Sequence, residues 1–217
     1  MAGTIFKGRG YAKRLSASDK TVSKRHFEVM QRLNFTSTLI DGLYIVERNL
    51  VKDERGFFSR FFCVEEFSRI GFSGSIAQIN HTMTEKKGSV RGFHFQKAPY
   101  TETKIVSCVR GRVLDVAVDI RRNSPTFLHW HAEELSEKNK KSLYIPDGFA
   151  HGFQTLEDNC ELLYLHSEFY NPGAESAINI LDPEISMEWP LSIEQISERD
   201  SSQPMINKNI FKGVTVI

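Results

Sequence analysis

Three cysteines in 217 residues, Cys63, Cys108 and Cys160, are too few for a disulfide scaffold, and none is spaced as a CxxC redox pair. Each falls in an apolar, strand-like setting, the pattern of free buried thiols in a reducing cytoplasm. No apolar run approaches the roughly 20 residues that a membrane-spanning helix needs. The N-terminus lacks the apolar core of a signal peptide. Charge of one sign is also lacking. Twenty-eight Lys and Arg face 27 Asp and Glu, a formal net charge of +1. Overall charge therefore points to neither a nucleic-acid nor a membrane-surface partner. There is no solenoid-type repeat and no low-complexity tract.

What is there is β texture behind a basic arm. Residues 1–31 hold seven Lys or Arg against two Asp or Glu. They read as an extension, with Phe27, Met30 and Leu33 spaced as one face of a short helix. We place the boundary at residue 32, with one domain over 33–217. Beyond Leu39, runs of Ile, Val, Phe, Tyr and Thr recur between Gly, Asp, Asn and Pro. They predict strands over 39–47, 57–63, 75–82, 90–96, 103–110, 113–120, 128–135, 153–156, 160–167 and 177–181. Val64–Ile70 reads as one or two helical turns, and Ser192–Asp200 as a short helix. Many short strands without long helices predict an all-β sandwich or barrel of the jelly-roll kind.

Two strands alternate clearly. In 113–120, Leu114, Val116, Val118 and Ile120 share one face, and Asp115 and Asp119 share the other. A solvated face is the default for Asp119; Asp115 stays open between solvent and a cavity. In 160–166, Leu162, Tyr164 and His166 lie opposite Glu161, Leu163 and Leu165.

Two stretches carry histidine where strands are usually apolar. Val90-Arg91-Gly92-Phe93-His94-Phe95-Gln96 enters through Gly88, and Gly92 leaves room beside His94. Position alone favours a histidine satisfied inside a barrel. Pro146-Asp147-Gly148-Phe149-Ala150-His151 resembles the second half-motif of the cupin superfamily, whose histidine is often a metal ligand. The first half-motif would bring His-x-His and a Glu; here His94 is followed by Phe95 and Gln96. Three metal ligands are reached only by borrowing His81 or His166, so a metal-free cupin-like barrel is the preferred reading.

With these stretches, Asp53-Glu54-Arg55-Gly56-Phe57-Phe58, Gln78-Ile79-Asn80-His81, Asp115–Arg121 with Ser124–Phe127, and Ile145–Phe153 complete an ordered set. The set resembles the dTDP-4-dehydrorhamnose 3,5-epimerases from about Leu33 to about Pro204. The basic arm stands outside the pattern. The resemblance implies a cupin-type jelly roll, without cofactor or metal, working as a cytoplasmic homodimer. Its substrate would be a nucleoside-diphosphate 4-keto-6-deoxy sugar, inverted at C3, C5 or both. It implies His94 as base, Asp200 as the group that orients it, Tyr164 as the acid on the opposite face and Lys104 as enolate stabiliser. Arg55, Gln78, Asn80, His81, Arg91 and His151 match positions that contact sugar or diphosphate. Tyr170 matches an aromatic that stacks on the nucleotide base; Glu175 and Arg199 match further contacts. Strict alternation sets Arg91 and His94 on opposite faces, so either Gly92 breaks the pleat or Arg91 serves another part of a dimer.

Three positions depart from the pattern: Arg60 where a Glu is usual, Phe169 where an aromatic hydroxyl is usual, and Phe93 for a common Leu. They leave open the exact sugar and an epimerase acting at C3 only. Two other classes stand beside these: a metal-dependent cupin oxygenase or isomerase, and a non-catalytic sugar-binding cupin.

Overall fold

Short amphipathic strands cannot bury an apolar face singly, so they pair and stack. The computed structural model describes residues 31–216. Among these, thirteen strands form two large antiparallel sheets and one ribbon. The first sheet runs β1 (Leu33–Ser37), β2 (Tyr44–Arg48), β10 (Lys141–Ile145), β7 (Lys104–Arg110), β12 (Cys160–His166), β5 (Gln78–Thr84). The second runs β13 (Glu175–Ala177), β6 (Val90–Gln96), β11 (Phe149–Thr155), β8 (Arg112–Asp119), β9 (Trp130–Ser136). β3 (Val51–Asp53) and β4 (Gly56–Phe58) make the ribbon. Two single-turn helices, α1 (Val64–Phe67) and α2 (Glu198–Ser201), and a 3-10 turn at Ser68–Ile70 complete the set. This is the expected jelly roll of the cupin type. No helix among the described residues is long and apolar enough to cross a membrane.

Period two decides which side chains meet. Val106, Cys108, Leu143 and Leu162 of the first sheet pack on Val113, Ala117, Phe149 and Phe153 of the second, forming the core between them. The outer face of the second sheet, including Val116, Val118, Phe93 and Phe95, is covered by the C-terminal segment through Ile178, Ile180 and Ile185. The outer face of the first is covered by Phe67 and Phe72. The apolar side of β8 therefore faces outward under the C-terminal segment, and its acidic side faces the interior.

That inversion corrects the reading of Asp119. Asp119 is fully buried. It accepts from the Arg121 backbone and guanidinium and from the Ser124 and Thr126 hydroxyls, at 2.6–3.0 Å. Burial would raise its carboxyl, but these donors hold it below the usual carboxylate range.

Several boundaries differ too. β1, β3 and β10 were not expected as strands; only Leu33 is fully buried in β1 and no residue of β3 is, so both carry a weak pattern. The expected 39–47 strand starts only at Tyr44, because Gly42 turns the chain at φ 82° and leaves Leu39 exposed. The 57–63 strand ends at Phe58, ahead of the α1 cap at Cys63. Leu33 opens β1 instead of closing a helical face; Phe27 and Met30 lie outside the described residues. Cys108 and Cys160 are buried free thiols and Cys63 is partly buried. Burial pushes the Cys108 thiol up to about 12, which removes it as a nucleophile.

Candidate active site

β6 does not keep strict register with β11. His94 lies opposite His151, and Arg91 lies opposite Phe153, so three steps on β6 match two on β11. The extra residue is a bulge at Gly92 and Phe93. Gly92 has φ 130°, and a Cβ there would stand 2.5 Å from Gly152 Cα and 2.8 Å from the His151 carbonyl. Both neighbours are backbone, so only glycine fits. The bulge resets the alternation: Arg91 and His94 both face the interior, while Phe93 turns outward and stacks on Trp189. The conflict between Arg91 and His94 is thus resolved by the pleat, and Phe93 does not touch the cavity.

The cavity between the sheets is about 220 Å³. His94 lines it, with Nε2 2.7 Å from Asp200 Oδ1. Asp200 arrives from α2, where its N–H donates to the capping Ser197 hydroxyl. Its other oxygen accepts the Gly92 N–H at 3.4 Å. Burial alone would raise the Asp200 carboxyl; the His94 bond and charge outweigh it and hold the group below the usual range. His94 is thereby oriented through Nε2, which leaves Nδ1 for a ligand.

Opposite stands Tyr164, on the inner face of β12. His151 meets its ring edge-on at 5.9 Å between centroids, and His166 stacks on it at 6.0 Å. Burial, then the charge of Asp115, pushes the phenol well above the ordinary tyrosine range, so it stays protonated. His151 Nε2 lies 2.7 Å from Asp115 Oδ1, and Asp115 Oδ2 is buried without a partner. Lys104, expected from strand 103–110, is nearly buried. Its Nζ lies 3.1 Å from Glu102 and donates to the His94 carbonyl at 3.4 Å. His166 Nδ1 contacts Glu102 at 2.7 Å, and Asn80 reaches His166 Nε2 at 3.3 Å. Among the described residues no three His, Cys, Asp or Glu side chains converge as a metal-ligand set. Each cavity imidazole faces a carboxylate instead. The cavity thus holds an oriented imidazole, a protonated phenol on the facing sheet and a lysine ammonium, groups that can serve proton transfer.

The model of the dTDP-4-dehydrorhamnose 3,5-epimerase family matches residues 37–208. The dTDP-4-dehydrorhamnose 3,5-epimerase of Salmonella typhimurium is 41% identical over 173 residues, covering 79% of this chain and 94% of that protein. The chain belongs to this family. Among solved structures, a dTDP-6-deoxy-D-glucose-3,5-epimerase from Legionella pneumophila, in complex with dTDP-4-keto-L-rhamnose, superposes with a TM-score of 0.78 at 36% identity. It covers 85% of this chain and 100% of that one. A 3′-monoepimerase from Streptomyces bikiniensis, in complex with dTDP-quinovose, superposes at 0.72 with 34% identity, covering 77% and 85%.

The other expected contacts divide into two groups. Gln78, Asn80, Arg91, His151, Tyr170 and Glu175 line the same cavity. Tyr170 donates its hydroxyl to Glu175 at 2.6 Å, and Arg199 pairs with Glu175 at 2.6 Å, so Arg199 stands beside the mouth. Arg55 and His81 do not reach the cavity of their own chain. Arg55 projects from the exposed β3–β4 ribbon, bonded to Asp53. His81 follows Asn80 on β5, so alternation turns it outward, against Glu161 at 3.1 Å. Arg60 also lies outside the cavity and pairs with buried Glu66. Phe169 is exposed beside Tyr170.

Sequence reasoning missed Glu102 altogether. Its signal was its place two residues before Lys104, on the same face had the strand begun earlier. His166 shares a strand face with Tyr164 in the sequence, and the position of Tyr164 on the inner face carries His166 into the cavity.

Proposed function

We propose that this chain epimerises a dTDP-linked 4-keto-6-deoxy sugar, with His94 as base and Tyr164 as acid. The observation that carries the assignment is the 2.7 Å contact from His94 Nε2 to Asp200, which leaves Nδ1 toward the cavity faced by Tyr164. A carbon next to the C4 ketone loses its proton to His94 Nδ1. The C–H electron pair moves into the ring and onto the C4 oxygen, giving an enolate. The Lys104 ammonium stabilises that oxygen, and Asp200 stabilises the imidazolium. Tyr164 returns a proton to the opposite ring face and the centre inverts. Solvent then removes the proton from His94 and restores the one lost by Tyr164.

Arg91 suits the diphosphate, because its fork donates two parallel hydrogen bonds. The exposed Tyr170 ring suits stacking on the nucleotide base. Residues 33–217 would constitute the epimerase domain and 1–32 an extension, in a cytoplasmic protein. The chain would act as a homodimer. Phe57 and Phe58 are exposed on the ribbon that carries Arg55, and Ile79 and Met83 are exposed beside His81. Such apolar faces seek a partner, and a second copy would give Arg55 and His81 a role they lack in one chain.

The test is incubation with dTDP-4-keto-6-deoxyglucose in heavy water, with deuterium located by NMR. Label at C3 and C5 is expected. Label at C3 alone would make this a monoepimerase, the reading that the loss of a hydroxyl at Phe169 would favour. Absence of label at both carbons would refute the assignment for this sugar. Sedimentation at a single dimer mass checks the assembly.

A further inference from the structure

Two neighbouring ionisable residues that line the cavity have no part in the mechanism above. Glu102 and His166 sit between the groups assigned to chemistry and touch several of them. Glu102 Oε1 lies 3.1 Å from Lys104 Nζ, while Glu102 Oε2 lies 2.7 Å from His166 Nδ1. One carboxylate thus holds an ammonium by one oxygen and an imidazole by the other. The His166 ring in turn lies parallel to Tyr164, 20° between planes and 6.0 Å between centroids. The far nitrogen of His166 completes the chain at Asn80 Nδ2, 3.3 Å away.

The hydrogen bonds fix the tautomer of His166. The Asn80 amide nitrogen only donates, so His166 Nε2 must accept. Nδ1 then carries the proton and donates to Glu102. Burial would raise the Glu102 carboxyl, but the bond from His166 and the charge of Lys104 overcome it and hold it below the usual range. Glu102 faces Lys104 at one oxygen and His166 at the other, so its charge is not buried alone.

We propose that Glu102 and His166 are a positioning pair that sets the separation between Lys104 and Tyr164. This rests on the reading above, in which Lys104 meets the C4 oxygen and Tyr164 the carbon next to it. Those two points are fixed relative to each other in the sugar, so the two side chains must be fixed as well. A lysine has four rotatable bonds and would otherwise wander; an acid misplaced by about 1 Å loses about a hundredfold in rate. Glu102 removes the freedom of the lysine, and the His166 ring fixes the plane against which the phenol lies.

The test uses the full chain, three variants and two readouts. His166→Phe keeps a flat ring against Tyr164 and removes both hydrogen bonds. Glu102→Gln keeps the shape and removes the charge. The third variant carries both changes. Deuterium uptake from heavy water into dTDP-4-keto-6-deoxyglucose gives kcat and KM, and calorimetry with dTDP gives nucleotide affinity. We expect each single variant to lose about tenfold or more in kcat, with the dTDP dissociation constant within about twofold of native. We expect the double variant to lose no more than the worse single, because the two residues act as one unit. A His166→Phe protein within about twofold of native kcat would reduce His166 to packing and overturn the proposal. Multiplying losses in the double variant would overturn it as well. If the native chain itself takes up no deuterium, the epimerase reading falls and this one with it. Native exchange with an unaffected His166→Phe sinks only the positioning pair.

Discussion

Two of the three imidazole–carboxylate pairs at this cavity have the same length and differ in what surrounds them. His94 and Asp200 meet at 2.7 Å with the histidine 32% exposed to the cavity. His151 and Asp115 also meet at 2.7 Å, but with 7% and 0% exposed. Asp200 has a further donor in the Gly92 N–H, and its own N–H donates to the capping Ser197 hydroxyl. Asp115 stands on the inner face of β8, its second oxygen unpartnered, with His151 as its one hydrogen-bonded neighbour among the described residues. The hydrogen bond alone does not make a base. Access of the free ring nitrogen to substrate does, and only the first pair has ample access. The second is bound into the structure, and its charge acts on Tyr164.

Breaking each pair at its histidine turns that contrast into opposite outcomes. His94→Ala should lower proton exchange by about a thousandfold, the range for removing a general base. Its dTDP affinity and melting temperature should stay close to native, because Asp200 keeps the Gly92 N–H as a donor and the alanine opens its carboxylate to the cavity. His151→Ala should do the reverse in stability. It strands a buried carboxylate, at a cost of about 3 kcal/mol. For a domain of this size that lowers the melting temperature by about 6–12 °C. Paired thermal melts and exchange rates check both. A His94→Ala protein that unfolds as readily as His151→Ala would erase the distinction drawn here.

The contrast also marks how far the sequence could be read. Both histidines were visible in it, because a histidine at a strand position beside glycine is unusual whatever the fold. The jelly roll was visible as well, from many short strands and no long helix. The family motifs brought in Asp200, which no local pattern ties to a strand 106 residues away. Period-two alternation then misled once and left one conflict open, for two different physical reasons. Alternation says which residues share a face but not which face is inside. The apolar face of β8 is covered by a C-terminal segment without regular structure, so the acidic face became the interior, and Asp119 was misjudged. At β6 the bulge at Gly92 shifted the phase by one, joining Arg91 to His94. Neither event leaves a trace in hydrophobicity. Glu102 was lost because it precedes its strand, and Arg55 and His81 match contact positions that one chain's cavity does not reach.

The smallest expected effect probes the second pair without unfolding it. Asp115→Asn keeps the shape and a hydrogen-bond acceptor for His151, so the large stability loss of His151→Ala should not appear. What changes is the charge beside Tyr164. A carboxylate near a phenol disfavours the phenolate and raises its pKa; burial does the same and is the larger cause. Removing the carboxylate must therefore move the phenol downward, while burial keeps it above the ordinary value of about 10. Titrating phenolate absorbance in the native and Asp115→Asn proteins, with Tyr164→Phe as blank, reads that group directly. In the native protein Tyr164 should ionise later than the exposed tyrosines, so its proton remains available through neutral and mildly alkaline pH. On the acid side Asp200 is held below the usual carboxylate range, so it stays ionised and keeps its hold on His94 until the pH falls below that range. In Asp115→Asn the loss of activity at high pH should begin earlier, and the acid limb, which belongs to the first pair, should stay where it is. An acid limb that moves with Asp115 would mean that the buried pair, not His94 and Asp200, sets the protonation state of the base.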